Sequence, residues 1–213
     1  MQANRTTLIY VLMMTLVVVA SNILVQYPLP WTLFGINLGD ILTFGAFSYP
    51  VAFLVTDLTN RQFGPKTARK VVVAGFAVAV LFSFAVASPR IAIASGSAFL
   101  LGQLLDISVF NTLRRQAWWR APLVGSLIGS ALDTLIFFSV AFAPVFVVFG
   151  PNEPFAIENA PILGVFAAEA QRWVSWALTD FGVKVLMGLV MLLPYGALMS
   201  TLRPMPGVEK AAA

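Results

Sequence analysis

Cysteine and histidine are both absent from the chain. Without thiols there are no disulfides and no thiolate chemistry, and without imidazole there is no histidine-based zinc or haem site and no triad with a histidine base. Hard, oxygen-liganded metals remain conceivable, but the acids are scattered with no D-x-D spacing, so neither a metal nor a cofactor is expected. Charge is scarce as well. Asp, Glu, Lys and Arg make up 10% of the 213 residues, too few to solvate the surface of a soluble domain, where about a quarter of residues are charged.

What is present is apolar. Hydrophobic residues make up 59% of the chain and its mean hydropathy is +0.88. Six stretches, at about 6–26, 41–59, 71–88, 91–113, 123–149 and 181–202, are long enough to span a bilayer, which takes roughly 20 helical residues. These predict an all-α, polytopic membrane protein, a single domain over 1–213 built as a bundle of six transmembrane helices. The first stretch has Arg5 ahead of it and Ala20 near its end, as a signal peptide would. Its apolar run exceeds an h-region of roughly 7–15 residues, so it reads as an uncleaved helix.

Basic residues give the orientation. Arg5, Arg61, Lys66, Arg69, Lys70, Arg114, Arg115, Arg120, Arg203 and Lys210 fall on one side, and Arg90, Arg172 and Lys184 toward the other. The positive-inside rule then puts both termini in the cytoplasm. The net charge of +4 is explained by these short loops, so no nucleic-acid partner is expected.

Inside the spans, some residues do not belong in hydrocarbon. The stretch 92–115 (AIASGSAFLLGQLLDISVFNTLRR) contains Gln103, Asp106 and Asn111, and 121–138 (APLVGSLIGSALDTLIFF) contains Asp133. A charge at mid-helix costs at least roughly 2.5–3.5 kcal/mol, so such residues need a partner or a task. At about 1.5 Å of rise per residue, Asp133 lies about 18 Å from the cytoplasmic surface, Gln103 about 16 Å and Asp106 about 12 Å, close enough to form one layer. Gln103, Asp106 and Phe110 share a helix face, as do Ser126, Ser130, Asp133 and Phe137. The layer suits a flat, polar, hydrogen-bonding molecule; the competing account is an interhelical hydrogen-bond clasp.

Asp57, Asn60, Asn111 and Arg114 form a more cytoplasmic layer, where an ion pair of Asp57 with Arg114 is the plain alternative to substrate contact. Asn22, Asp40, Asp180 and Lys184 form an outer one, in which Asp180 and Lys184 stand i,i+4 and invite a local salt bridge. Pro50 and Pro194 fall within the second and sixth spans and predict kinks. Gly125 and Gly129 form a G-x-x-x-G close-packing face, which also leaves a homodimer open. The segment 27–40, with Trp31 and Phe34, reads as a re-entrant turn or an interfacial loop. The latter half of 150–179 reads as an amphipathic helix on the outer surface.

Seven motifs occur in order: ASN at 20–22, TDLT at 56–59, GQLLDISVFNTLRR at 102–115, WW-x-AP at 118–122, SALDTLIFF at 130–138, KVL at 184–186 and LPYG at 193–196. As a set they resemble the queuosine precursor transporter family, also called the vitamin uptake transporter group, over nearly the whole chain. The resemblance implies a multi-pass importer in the bacterial inner membrane. Its substrates would be 7-cyano-7-deazaguanine or 7-aminomethyl-7-deazaguanine, salvaged for tRNA modification. It also implies six spans, a count similar to that of the substrate-binding subunits of energy-coupling-factor transporters. Asp57, Gln103, Asp106, Asn111, Asp133 and Lys184 match polar positions of the family's pattern. The outer segment 150–179 is longer than the family's usual loop, and the connection around Pro89 shorter.

The chemistry agrees with this resemblance. Adjacent N–H donors on a deazaguanine edge suit one carboxylate, Asp133 or Asp106, while the other takes a positive aminomethyl group or a coupling proton. The carbonyl oxygen wants Gln103 or Asn111, and the rings want a face such as Phe137 or Phe138. Asn22, Asp57 and Lys184 complete the candidate substrate-binding set. The partners expected are thus a purine-like small molecule and the lipid bilayer. The alternative within transport is a substrate-capture subunit of an energy-coupling-factor type for another vitamin-like compound. No enzyme activity is expected: an intramembrane aspartyl protease would use Y-D and G-x-G-D motifs, whereas Asp57, Asp106 and Asp133 follow Thr56, Leu105 and Leu132. A purely structural scaffold would leave the mid-membrane polar residues without a role.

Overall fold

The structure, a computed structural model, describes residues 2–24, 27–33 and 35–202. Gln26 at the end of the first expected span, Phe34, and the basic residues Arg203 and Lys210 lie outside the described residues. In chain order the elements are α1 (Gln2–Leu24), β1 (Thr32–Leu33), β2 (Ile36–Asn37), α2 (Gly45–Ser48), α3 (Pro50–Phe63), α4 (Pro65–Val86), α5 (Pro89–Leu113) and α6 (Arg120–Phe142). There follow α7 (Pro154–Ile157), β3 (Asn159–Pro161), β4 (Glu169–Gln171) and α8 (Arg172–Met199). Five helices among the described residues, α1, α4, α5, α6 and α8, are long and apolar enough to cross a membrane.

Proline and glycine set the boundaries. Pro50, Pro65 and Pro89 each open a helix, where a missing N–H costs nothing because the first-turn donors have no partner anyway. Gly64 closes α3 by donating its N–H to the Asn60 carbonyl at 2.9 Å, and its own carbonyl accepts from Ala68 at the start of α4. Its φ of +81° is a conformation that a Cβ would strain. Ser88 caps α5, its hydroxyl accepting from the Ile91 N–H at 3.3 Å.

The expected second span is the one most changed. Over 41–59 the chain forms α2 and α3 in tandem through Tyr49, which is itself helical at φ −59° and ψ −40°. Pro50 therefore starts a helix instead of kinking one, and the i−4 carbonyl it cannot serve belongs to Ala46. Pro194, by contrast, sits inside α8, which continues through it to Met199. The fifth span ends at Phe142 and not at 149, because Ala143, extended ahead of Pro144, stops the helix. Residues Pro144–Phe149 form a 3₁₀ turn.

One outer segment also differs from expectation. The latter half of 150–179 is not a separate surface helix: β4 pairs back onto β3 in an antiparallel hairpin, with Asn159 opposite Gln171 and Pro161 opposite Glu169, and the residues from Arg172 onward are already the first turns of the long α8. The segment 27–40 makes the two-residue hairpin β1–β2 and a 3₁₀ turn, Leu38–Asp40, and Pro28 bridges to Thr43.

The apolar core lies where α1, α3, α4 and α5 meet, around Met14, Val18, Val55, Leu58, Val72, Phe99 and Ile107. Outside, Leu16, Leu81, Leu135 and Leu193 are each more than 60% exposed, whereas inside, Asn60, Gln103 and Asp106 are fully buried. Leucine outward and carboxylate inward reverses the water-soluble arrangement and fits a protein whose solvent is lipid.

Candidate functional site

Residues of α1, α2, α4, α5, α6 and α8, with Tyr49 at the join of α2 and α3, enclose a cavity of about 550 Å³. Its rim includes Asp40 to Thr43, from the loop after β2, and its walls include Asn22, Tyr49, Ser95, Phe137 and Trp176. The long apolar helices bring aromatic rings together: Phe137 meets Phe138 edge-on at 5.1 Å, and Phe142 meets Trp176 at 5.4 Å.

The charged part of the wall is a triad. The Lys184 ammonium lies 2.7 Å from Asp133 Oδ2 and 2.6 Å from Asp180 Oδ2. It also donates to Thr134 Oγ1 at 3.0 Å, and that hydroxyl donates onward to Asp180 at 2.8 Å. Tyr49 donates to Asp133 Oδ1 at 3.1 Å, and its ring lies 5.4 Å from the ammonium. Lys184 and Asp133 are about 5% exposed, so the attraction acts in a poorly screened interior. Two carboxylates against one ammonium leave a formal charge of −1 on the cavity wall. Asp133 still has an acceptor direction on each oxygen beyond the bonds from Tyr49 and Lys184.

The eight sequence candidates separate by position. Asp133, Lys184, Asn22 and Phe137 line the cavity. The i,i+4 bridge from Asp180 to Lys184 forms as its spacing suggested, but Lys184 reaches Asp133 as well. Asn22 donates to the Val18 carbonyl at 3.0 Å and accepts from Ser83 at 3.4 Å.

The other four lie outside this lining. Asp133 packs at the level of Gly102, where a Cβ would meet its own Cβ at 3.0 Å. Asp106 is four residues further along α5, about 6 Å deeper toward the Arg114 end. It sits instead against Gly125 of α6. Gln103 accepts from Thr56 at 2.5 Å, Asn111 donates to the Ile107 carbonyl at 2.6 Å and accepts from Arg114 at 3.2 Å, and Asp57 lines a separate, far smaller pocket. The single layer expected for Gln103, Asp106 and Asp133 is thus two layers, one helical turn apart.

Tyr49, Thr134 and Trp176 were not singled out for the site from sequence. Tyr49 had one signal, its place directly before a mid-span proline.

A bundle with a lipid-compatible exterior and a charged, aromatic interior cavity defines a multi-pass membrane protein built to hold a solute. The chain belongs to the queuosine precursor transporter family, the vitamin uptake transporter group. The family model described as "Putative vitamin uptake transporter" matches residues 43–88 and 84–198. The chain is 37% identical over 209 residues to the Queuosine precursor transporter of Escherichia coli (strain K12), covering 88% of this chain and 83% of the relative. It is 33% identical over 214 residues to the Probable queuosine precursor transporter of Haemophilus influenzae, covering 87% and 83%. No solved structure matches the chain.

Proposed function

We propose that this chain imports queuosine precursors, 7-cyano-7-deazaguanine or 7-aminomethyl-7-deazaguanine, across the bacterial inner membrane, binding them in the cavity walled by Asp133 and Lys184. The observation that carries the reading is the triad of Asp133, Lys184 and Asp180 beside a wall of phenylalanine and tryptophan. The free acceptor directions of Asp133 match adjacent N–H donors, and Phe137 with Tyr49 and Trp176 offers faces to a flat ring. The excess negative charge suits an N–H edge, and it suits a positive aminomethyl group still better. A site that pairs these donors rejects analogues that lack them, because its own buried groups would go unpaired.

In this reading residues 1–213 act as one six-span domain. The sixth span is the tandem of α2 and α3 over 45–63, about 28 Å of helical rise. With both termini cytoplasmic, the cavity rim at Asp40 to Thr43 faces outward, toward incoming solute. The work is translocation, with no bond made or broken.

The test is binding of both deazaguanines to the purified protein, with guanine as control and Asp133→Asn as the variant. Saturable deazaguanine binding that is lost in Asp133→Asn supports the site. Undiminished binding in Asp133→Asn would sink it.

A further inference from the structure

A second pair of acids lies deeper, toward the Arg114 end of the bundle, and the cavity does not use it. Asp57 on α3 and Asp106 on α5 are 2% and 0% exposed, and both reach the same turn of α6, Asp57 at Ser126 and Asp106 at Gly125. Both oxygens of Asp106 and the Oδ1 of Asp57 have no hydrogen-bond partner, while Asp57 Oδ2 receives the Ser126 hydroxyl at 3.4 Å. The Asp106 carboxyl occupies a hollow in α6: a Cβ at Gly125 would stand 2.5 Å from Asp106 Oδ1, and one at Gly129 3.1 Å from Asp106 Cβ. The G-x-x-x-G of α6 therefore houses an acid as well as letting helices approach.

The ionisable groups around the pair come from α3, α6, α8 and the end of α5. Arg61 on α3 and Arg114, directly after α5, lie toward Tyr195 of α8. Lys184 and Tyr195 of α8 line the small pocket beside Asp57 and Ser126, and Asp133 of α6 stands one layer up. Lys184 is held between Asp133 and Asp180, and it borders both this pocket and the main cavity. Two ionised carboxylates facing each other in a dry interior repel strongly, and the arrangement that removes the repulsion is a shared proton, one acid donating to the other's carboxylate.

We propose that Asp57 and Asp106 form a proton-binding site that couples solute movement to a proton gradient. The coupling rests on the transport reading above; the shared proton does not. Lys184 is the link. Solute N–H groups that take over Asp133 loosen its hold on the ammonium, and the ammonium can then offset the second charge left on the pair when its proton departs.

Infrared spectroscopy of the reconstituted, solute-free protein at neutral pH tests the proton. A protonated-carboxyl band that shifts in D₂O is expected in wild type. It should change frequency in Asp57→Asn and in Asp106→Asn, be lost in the Asp57→Asn, Asp106→Asn double variant and be kept in Asp133→Asn. A missing wild-type band, or one that survives the double variant, overturns the proposal. Uptake into proteoliposomes tests the coupling. In Asp106→Asn, accumulation driven by a pH gradient should be lost while deazaguanine binding, the check on folding, is kept. Accumulation driven by sodium that vanishes in the same variant would overturn the proton in favour of a metal cation. Wild type that binds no deazaguanine would sink the transport reading and leave the infrared test standing.

Discussion

Lys184 and Asp133, 51 residues apart, are joined by a 2.7 Å ion pair with about 5% of either side chain exposed. Asp180 shares the ammonium, so the three residues are not equivalent when removed. Lys184→Met leaves two carboxylates facing each other with no cation between them. It is expected to cost about 3–5 kcal/mol, the usual result of stripping one partner from a buried pair. Asp133→Asn leaves a one-to-one pair of Lys184 with Asp180 and should cost less. Thermal unfolding in detergent should rank Lys184→Met well below Asp133→Asn, and the reverse order would refute the charge count.

Tyr49→Phe keeps the ring beside Lys184 and removes only the 3.1 Å bond to Asp133. One neutral donor to a carboxylate is worth roughly 1.5–3 kcal/mol. Solute can itself fill the acceptor direction vacated on Asp133, so the loss in binding should be smaller than the loss in stability. Titration calorimetry beside thermal unfolding of the same variant checks this. A larger loss in binding than in stability would mean that the hydroxyl contacts solute directly.

Arg90 makes a different kind of prediction. Its guanidinium donates to the carbonyls of Val140 at 2.8 Å, Ala143 at 2.7 Å, Gly150 at 3.2 Å and Pro151 at 3.1 Å, and to Asn152 Oδ1 at 3.0 Å. It thus serves the last carbonyls of α6 and pins the turn beyond it. Arg90→Lys keeps the charge but cannot span that fan of acceptors. Hydrogen exchange at residues 143–152 should speed up in Arg90→Lys, with α1 and α4 unchanged. Unchanged exchange there would show that the 3₁₀ turn holds itself.

The helices and the polar residues within them were legible in the sequence, because hydropathy and proline placement are local signals. Pairing was less legible. Lys184 with Asp180 follows from i,i+4 spacing, but Lys184 with Asp133 depends on how α6 is turned against α8, which no local pattern encodes. Depth by helical rise put Asp106 and Asp133 about 6 Å apart, yet one layer was expected. Gly102 and Gly125 decide the matter: they let α5 and α6 close up at two levels of one antiparallel contact, Asp133 at the first and Asp106 at the second. The hairpin over 159–171 was missed because its residues carry an apolar pattern that also suits a surface helix.

Three glycines give the last prediction. A Cβ at Gly129 would lie 2.8 Å from the Phe53 ring and 2.9 Å from the Gly102 carbonyl, and one at Gly125 2.5 Å from the Asp106 carboxyl. At Gly182 nothing lies within 4 Å. Gly129→Ala meets backbone, which cannot swing away, so overpacking should cost about 1–3 kcal/mol or push α5 from α6. Gly125→Ala meets the Asp106 carboxyl first and the Asp106 backbone carbonyl only at 3.3 Å, so Asp106→Ala should relieve part of its cost, a coupling that a double-mutant cycle reads directly. Gly182→Ala should leave stability unchanged or raise it by up to about 1 kcal/mol, since alanine restricts the unfolded chain and favours the helix. Unfolding midpoints for the three single variants and the Gly125→Ala, Asp106→Ala pair decide it. Equal effects at all three glycines would mean that helix propensity, not the α5–α6 contact, governs these positions.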